Sequence, residues 1–222
     1  MRPKFMLYVI GTPIGNLEDM SFRAVSILKE VDVVLCEDTR VTKVLLSHFG
    51  ITTRMLSCHQ HSGVMKHEKV MALLRDGNSL ALVSDAGTPG ISDPGGKLLS
   101  YLYEHGYTEI VSIPGPSALT AGLSISGFSG DEFVFLGFIP TKKGRKTLLT
   151  EIGETKRTVV FYESKYRIQK TLNELAQIIG ARRVFVAREI TKKFETSYRG
   201  GIKEILPHLL EKGEFVVIVE GK

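Results

Sequence analysis

The sequence predicts an α/β protein of two domains, a parallel-rich sheet domain followed by a mixed α+β domain. In the first half, short apolar runs alternate with amphipathic segments, which is typical of strands joined by crossover helices. In the second half this alternation stops. The charge changes as well, because residues 1–140 hold 11 Lys and Arg against 14 Asp and Glu, whereas residues 141–222 hold 18 against 10. We therefore expect domains at 1–128 and 129–222, joined near 127–131.

Five apolar runs in the first half have the length of buried strands, and five other segments carry apolar residues at helical spacing. Ser21 is the expected N-cap of the first helix, and Ala24, Val25, Ile27 and Leu28 form its apolar face. The predicted strands are 5–10, 31–36, 51–57, 79–84 and 109–113, and the predicted helices are 21–30, 40–48, 64–75, 96–105 and 117–126.

The second half has a less regular pattern. An apolar run at 133–139 ends at Pro140, and the basic segment 142–146 follows. The mixture of further elements predicts an α+β domain. These elements are strand-like segments at 158–162, 183–187 and 214–219 and helices near 166–179 and 202–211, with a further segment at 194–199 that is not assigned.

Composition places the chain among ordinary globular proteins, with 43% hydrophobic and 24% charged residues. No apolar run approaches the ~18 residues of a membrane span, so we expect no membrane association. The run at 5–10 leads directly into a glycine turn and is interpreted as a strand, not as a signal peptide. Cys36 and Cys58 are the only cysteines. Two thiols without a secretion signal predict a cytoplasmic location.

Three loops rich in Gly and Pro follow three of the predicted strands, at 11–16, 84–96 and 113–118. Open α/β sheets bind ligands at the carboxyl ends of their strands, where such loops present backbone N–H and C=O groups. The first loop lacks both the Gly-Lys-Ser/Thr of a phosphate-binding loop and the Gly-x-Gly-x-x-Gly of a dinucleotide site. The pattern therefore predicts a ligand site that is not built for nucleoside triphosphates or NAD.

Polar residues in these loops are candidates for ligand contact. Asp85 comes directly after a strand, where a carboxylate is placed to accept hydrogen bonds from a ribose or to face a cation. Asp93 precedes Pro94 and is expected to cap the next helix. Thr88, Ser117 and the neighbouring Ala118 are small residues that permit close approach of a ligand, and a structural role is the alternative for each.

An acidic and basic cluster follows the strand at 31–36 and consists of Glu37, Asp38 and Arg40. Two adjacent carboxylates exceed what a helix cap requires, which favours an active-site rim. The alternative is a capped helix start in which Arg40 pairs with Glu37. His59, His61 and His67 lack a Cys or carboxylate at metal-ligand spacing, so we predict no metal site.

The basic excess of the second half suits a polyanionic partner, and a solvated basic face is the alternative. Clusters at 142–146 and 182–183 favour RNA. The segments 161–167 and 188–193 interleave aromatic with charged residues, which suits stacking and phosphate contact on single-stranded RNA. Tyr162 and Tyr166 are alternatively residues at the edge of a core.

Taken together, these segments give the chain a resemblance, over essentially its full length, to the tetrapyrrole methylase superfamily. Within it, the chain is similar to the branch that acts on small-subunit ribosomal RNA. The matching segments are YVIGTPIGNL at 8–17, EDTR at 37–40, VSDAGTPGISDPG at 83–95, PGPSA at 114–118, FYES at 161–164 and REITK at 188–192.

The resemblance implies a homodimeric two-domain methyltransferase that binds S-adenosylmethionine between its domains and methylates a cytidine ribose 2′-hydroxyl in the decoding region of that RNA. Relatives that act on tetrapyrroles carry a Gly-x-Gly-Pro-Gly-Asp-type first turn, where this chain has Ile14 and Asn16. This departure favours the RNA branch. That branch commonly carries His-x-x-Asn-Glu in its histidine segment, whereas this chain has HQHSG at 59–63.

We hypothesise that the site contains a base, groups that stabilise charge and a set of cofactor contacts. Asp38 or Glu37 is the base that accepts the ribose proton, and Arg40 and Lys192 orient phosphate or stabilise the developing alkoxide. Glu163 and Glu189 are the alternative bases. The residues expected to contact S-adenosylmethionine are Ile14, Asp85, Thr88, Ile113, Ser117, Ala118 and Tyr162.

Two rival functions remain open at this point. A tetrapyrrole C-methyltransferase needs an apolar, macrocycle-sized cleft and has no use for the basic second half. An RNA-binding assembly factor without turnover shows salt-sensitive RNA binding but transfers no methyl group. The partner expected for the methyltransferase is small-subunit ribosomal RNA or the assembled small subunit.

Overall fold

A computed structural model describes residues 5–58, 64–93 and 95–222 of the chain. The chain divides into two compact units, unit 1 ending at Ser117 and unit 2 beginning at Ala118. Over the residues described, no helix combines the length and the apolar character that crossing a membrane requires.

Unit 1 is a five-stranded sheet with all neighbouring strands parallel, in the order β3-β2-β4-β1-β5. The parallel-rich sheet predicted for the first half is confirmed. The strands are β1 (Leu7–Ile10), β2 (Val33–Cys36), β3 (Met55–Ser57), β4 (Leu80–Leu82) and β5 (Ile110–Ile113), and the helices are α1 (Phe22–Glu30), α2 (Thr39–His48), α3 (Val64–Arg75) and α4 (Gly95–Glu104).

Alternate residues of the strands face opposite sides of this sheet, and each side packs against its own pair of helices. On β1, Tyr8 and Ile10 belong to the core with α1 and α2, whereas Leu7 and Val9 belong to the core with α3 and α4. The neighbouring strands β1 and β4 are therefore followed by helices on opposite faces. Such a switch point is where open α/β sheets bind ligands, outside the carboxyl ends of the strands.

Unit 2 contains a five-stranded mixed sheet in the order β6-β7-β10-β8-β9, in which only β6 and β7 run parallel. This confirms the α+β character predicted for the second half. Its elements are α5 (Ala118–Ser126), β6 (Phe133–Phe138), α6 (Arg145–Glu154), β7 (Thr158–Ser164), α7 (Ile168–Ala176), β8 (Val184–Arg188), β9 (Thr196–Gly200), α8 (Ile202–Ile205) and β10 (Glu214–Val219).

Two helices of unit 2 differ from the expectation. Helix α6 is not predicted, although Leu148, Leu149 and Ile152 have helical spacing, because the basic segment before them has the composition of a loop. The helix expected at 202–211 ends early: α8 stops at Ile205, and a 3-10 turn containing Pro207 follows it. Proline lacks the N–H that would continue the α-helical hydrogen bonds.

The division between the units also differs from the boundary expected at 127–131. Helix α5 belongs to unit 2, where a Cβ atom on Gly122 would lie 3.1 Å from Cγ1 of Val216 on β10. Nε of Arg199 on β9 donates to the carbonyl of Ser126 at the end of the same helix (2.8 Å). The change in sequence pattern therefore marks the start of β6, whereas the packing division lies before α5.

Candidate active site

The three Gly/Pro-rich loops of unit 1 meet at the carboxyl edge of the parallel sheet. The N–H of Gly11 donates to the carbonyl of Ile113 (3.1 Å), which joins the ends of β1 and β5. Thr12 and Gly87 exchange backbone hydrogen bonds (2.9 and 3.1 Å), which joins the β1 loop to the β4 loop. The convergence predicted from three turns at strand ends is therefore present.

Buried hydroxyl groups reinforce the junction between the β1 and β4 loops. Oγ1 of Thr12 donates to the carbonyl of Ser84 (3.0 Å), and Oγ of Ser84 lies 3.1 Å from the carbonyl of Gly87. Both side chains are buried. Because buried polar groups are costly to leave unpaired, these bonds fix the path of the loop. Thr12 and Ser84 are not among the site residues predicted from the sequence, although Ser84 directly precedes the candidate residue Asp85.

Gly87 lies at the centre of this junction and has φ of +79°, a conformation that suits glycine. A Cβ atom there would point at Cγ2 of Ile14 (3.5 Å) and the carbonyl of Pro116 (3.7 Å). All three loops thus surround the position that a side chain would occupy. Gly87 itself is buried, so the three loops pack directly against one another here and hold the exposed residues Asp85 and Ala86 at this edge of the sheet.

Asp85 connects this junction with the end of β2. Its Oδ1 accepts a hydrogen bond from the backbone N–H of Asp38 (3.1 Å), and the Asp85 residue is exposed. A carboxylate has acceptor capacity for several hydrogen bonds, so Asp85 retains acceptor sites for a ligand hydroxyl. The structure therefore brings together Ile14, Asp85 and the Glu37–Arg40 segment at one edge of the sheet.

Asp38 is held by its neighbours at the start of α2. Its side chain accepts hydrogen bonds from the backbone N–H of Arg40 (2.8 Å) and from the Arg40 guanidinium on both oxygens. These bonds to Arg40 lower the pKa of Asp38 to about 2. The expected alternative of a capped helix start is thus present, but Arg40 pairs with Asp38 and not with Glu37.

Glu37 has the opposite electrostatic environment. Burial raises the pKa of its carboxyl group, and the negative charges of Asp85, Asp93 and Asp38 raise it further. A carboxylate with a raised pKa accepts a proton more readily than one with a lowered pKa. Of the two adjacent acids, Glu37 is therefore better suited to the role of a base.

The other predicted contacts of unit 1 occupy the same loops. Thr88 is half-buried in the β4 loop, Ile113 is buried at the end of β5, and Ser117 is half-buried at the end of the β5 loop. Oδ1 of Asp93 accepts from the N–H groups of Gly90 and Gly95 (2.7 Å each), which ties the β4 loop to the first residue of α4. Asp93 thus stabilises the loop in the manner of a helix cap.

The remaining predicted residues belong to unit 2. Ala118 is the first residue of α5, and the N–H of the next residue, Leu119, donates to the hydroxyl of Tyr162 on β7 (3.2 Å). Lys192 lies in the β8–β9 loop and pairs with Glu189 (3.1 Å) and Glu214 (2.6 Å). Burial acts to lower the pKa of Lys192, but these two carboxylates outweigh it and raise the pKa.

The alternative bases are engaged in hydrogen bonds. Glu163 is 1% exposed, accepts from the hydroxyl of Thr171 (2.7 Å) and pairs with Arg167 (2.7 Å). Glu189 accepts from the N–H of Glu214 (2.9 Å) and from Lys192. Both carboxylates hold the fold of unit 2 together, which leaves them less suited to proton transfer than Glu37.

No group of three metal-ligating side chains occurs among the residues that the structure describes. His59 and His61 lie outside the described residues. His67 packs against Tyr101 on α4, with ring centroids 5.3 Å apart and the ring planes tilted by 47°.

The architecture matches solved methyltransferases. The methyltransferase CobJ aligns with a TM-score of 0.71 at 19% identity, over 97% of this chain and 94% of that one. Uroporphyrin-III-C-methyltransferase from Thermus thermophilus aligns with a TM-score of 0.66 at 16% identity, over 97% and 94% of the two chains. The model of the tetrapyrrole (corrin/porphyrin) methylases matches residues 6–206. The fold and the loop-built edge therefore define a methyltransferase of this class.

Curated relatives specify the branch. A protein of Thermotoga maritima named ribosomal RNA small subunit methyltransferase I is 43% identical over 97% of this chain and 98% of its own length. Proteins of the same name from Escherichia coli O157:H7 and Streptococcus pyogenes serotype M3 are 44% and 47% identical over 97% of this chain, and 77% and 76% of their own lengths. The chain belongs to the tetrapyrrole methylase family and, within it, to the ribosomal RNA small subunit methyltransferase I branch.

Proposed function

We propose that this protein transfers a methyl group from S-adenosylmethionine to the 2′-hydroxyl of a cytidine ribose in small-subunit ribosomal RNA. The observation that carries the proposal is the 43–47% identity, over nearly the whole chain, to relatives named for that RNA. The basic second half supports a polyanionic substrate. The solved methyltransferases CobJ and uroporphyrin-III-C-methyltransferase share the fold but are only 19% and 16% identical to this chain. This lower identity disfavours a tetrapyrrole substrate.

The edge of unit 1 fits the cofactor. S-adenosylmethionine, when bound, supplies an electrophilic methyl group on a sulfonium leaving group. The loops that meet at Gly87 offer backbone groups to a flat adenine, with Ile14 and Ile113 as the apolar contacts that we propose. Asp85 accepts hydrogen bonds from ribose hydroxyls, as an acidic residue at a strand end does in other nucleoside sites. Thr88, Ser117, Ala118 and Tyr162 are the further contacts that we propose.

The acceptor needs a base, because a ribose hydroxyl is a poor nucleophile until its proton is leaving. We assign this role to a carboxylate oxygen of Glu37, whose raised pKa favours proton uptake. Asp38 positions α2 and the guanidinium of Arg40. Arg40, whose side chain is 88% exposed, is able to contact a phosphate of the RNA while it remains paired with Asp38. Lys192 is proposed as a second phosphate contact.

Isothermal titration tests the cofactor site. Asp85→Ala should weaken S-adenosylmethionine binding by roughly tenfold or more, since one charge-assisted hydrogen bond is worth about 1.5–3 kcal/mol. Asp76→Ala, which removes a carboxylate at the opposite end of β4, is the matched control and should leave affinity unchanged. Wild-type affinity in Asp85→Ala would contradict the assignment.

Single-turnover methyl transfer to isolated small subunits tests the base. Glu37→Gln should lower the rate by roughly 10²–10⁴-fold, the range that general bases supply. Asp38→Asn should have a smaller effect, through the position of Arg40. Wild-type rates in both variants would overturn the assignment of either acid as the base.

A non-catalytic RNA-binding protein is the second candidate, and the same assay separates it. RNA binding without incorporation of labelled methyl, at saturating S-adenosylmethionine, would favour that function over the enzyme. Sedimentation of the wild-type protein tests the homodimer that the family resemblance implies.

A further inference from the structure

Four loops of unit 2 emerge from one edge of its mixed sheet. The strand register places Ser164 opposite Glu214, Phe215 opposite Arg188, and Arg188 opposite Thr196. The end of β7, the start of β10, the end of β8 and the start of β9 therefore lie together, and β6 ends beside β7. We call this edge the basic edge and define it by residues 139–146, 165–167, 189–195 and 209–214.

The basic edge carries nine Lys and Arg residues against four Glu. Some of these charges are paired within the fold, because Arg145 binds Glu174 (2.6 Å) and Lys192 binds Glu189 and Glu214. Six exposed lysines form no ion pair with a carboxylate in the described part of the chain: Lys142, Lys143, Lys146, Lys165, Lys193 and Lys212. The free charge on this edge is therefore positive, and it suits the phosphates of a nucleic acid.

Two large aromatic rings stand in solvent on the same edge, each beside a lysine. Tyr166 is 83% exposed, and Nζ of Lys165 lies 5.0 Å from the centre of its ring. Phe194 is 69% exposed, and Nζ of Lys193 lies 5.6 Å from its ring centre. An aromatic face next to a cation is the arrangement on which single-stranded RNA stacks a base while its phosphate meets the charge.

The fold holds both rings on constrained loops. Arg167, next to Tyr166, pairs with buried Glu163 and donates to the carbonyl of Ile139 (2.6 Å). In the β8–β9 loop, Glu189 and Thr191 have φ of +52° and +67°, which is unfavourable for residues with a side chain. Nη1 of Arg188 donates to the carbonyl of Phe194 (2.8 Å). Strain of this kind is kept where the position of a loop matters.

We propose that the basic edge binds single-stranded RNA, with Tyr166 and Phe194 stacking bases and the six exposed lysines contacting phosphates. The proposal rests on the proposed function, since it identifies a contact surface for the RNA substrate. Exposed lysines are depleted from protein–protein interfaces, so their density favours RNA over a second copy of the chain as the occupant.

Fluorescence anisotropy with a labelled single-stranded pyrimidine RNA of roughly ten nucleotides tests the proposal, a length within the usual site size of single-strand binders. Each of Tyr166→Ala and Phe194→Ala should weaken binding by roughly five- to hundredfold. Phe22→Ala removes a ring that is 97% exposed in unit 1 and should bind as wild type. Because these rings are exposed, the variants should keep the wild-type thermal transition.

The lysines are tested through the salt dependence of binding. Lys142→Ala combined with Lys143→Ala should reduce the slope of log K against log salt by about 0.7 for each phosphate that the variant no longer neutralises. Lys156→Ala, just before β7 at the opposite edge of the sheet, is the matched control. An unchanged slope in the double variant would contradict phosphate binding at this edge.

Methyl transfer to small subunits, measured on the same proteins, keeps the two proposals apart. Wild-type transfer activity together with unchanged RNA affinity in Tyr166→Ala/Phe194→Ala would overturn the RNA surface and leave the proposed function standing. RNA binding that depends on both rings, without methyl transfer by the wild type, would support the surface and contradict the proposed function. If Tyr166→Ala/Phe194→Ala abolishes a dimer but leaves RNA affinity unchanged, the two rings belong to a self-association face, and the proposal is overturned.

Discussion

Gly11 and Gly115 meet backbone to backbone: a Cβ atom on Gly115 would lie 2.5 Å from the carbonyl oxygen of Gly11. This close approach joins the β1 loop to the β5 loop beside the junction at Gly87. Glycine is required at these two positions because no side chain fits between the two segments.

Gly115→Ala should therefore destabilise the protein by about 1–3 kcal/mol, the usual range for overpacking, and weaken S-adenosylmethionine binding. Chemical denaturation and titration calorimetry measure the two effects. Gly96→Ala is the control, since a Cβ there would meet no atom within 4 Å. Gly96 lies in α4, where alanine is favoured over glycine, so this substitution should leave the stability of the protein unchanged or raise it slightly. Equal stability and affinity in both variants would show that the close approach is not required.

Thr12→Val should destabilise the protein by about 1 kcal/mol, because it removes the hydroxyl that donates to the carbonyl of Ser84 and leaves the shape almost unchanged. Thr12→Ser keeps the hydroxyl and should recover most of this loss. Denaturant midpoints measure both. If Thr12→Val is as stable as wild type while Thr12→Ser is not, the methyl group and not the hydrogen bond fixes the loop.

Glu37→Gln should change stability in a pH-dependent way. The folded-state pKa of Glu37 is raised, so its ionisation costs stability; the cost is fully present above the folded pKa and absent below the unfolded pKa. At neutral pH the variant should thus be at least as stable as wild type, and the difference should vanish toward about pH 4, near the unfolded value. Thermal unfolding across pH measures this. A variant that is less stable than wild type at neutral pH would contradict the raised pKa.

Thr171→Val should destabilise the protein by about 1–3 kcal/mol without changing S-adenosylmethionine affinity. The Thr171 hydroxyl is buried between Nη2 of Arg145 (2.8 Å) and Oε2 of Glu163 (2.7 Å), so its removal leaves both charged groups short of a partner. Thr171→Ser is the matched control. If Thr171→Val loses much more S-adenosylmethionine affinity than its loss of stability explains, Glu163 is again a candidate for the active site.

The sequence is sufficient to predict the parallel sheet, because its strands are buried on both faces and appear as short apolar runs. It also predicts that the loops at 11–16, 84–96 and 113–118 converge, since parallel strands end at one edge. The partner of Arg40 is not predictable, because Glu37 and Asp38 are adjacent and only the backbone at the start of α2 decides which carboxylate faces the guanidinium. The sequence pattern assigns helix α5 to the first domain because the helix continues the alternation of strands and helices there. Its contacts with β10 join residues that are far apart in the sequence, so the pattern does not reveal them.

The central claim is that this protein methylates small-subunit ribosomal RNA. The most direct measurement incubates the wild-type protein with S-adenosylmethionine labelled in its methyl group and with unmodified small ribosomal subunits, and then maps the modified nucleotide. We expect one equivalent of label on the 2′-oxygen of a cytidine in the decoding region. Absence of label from the RNA, or label on a base carbon or nitrogen, would contradict the proposed reaction.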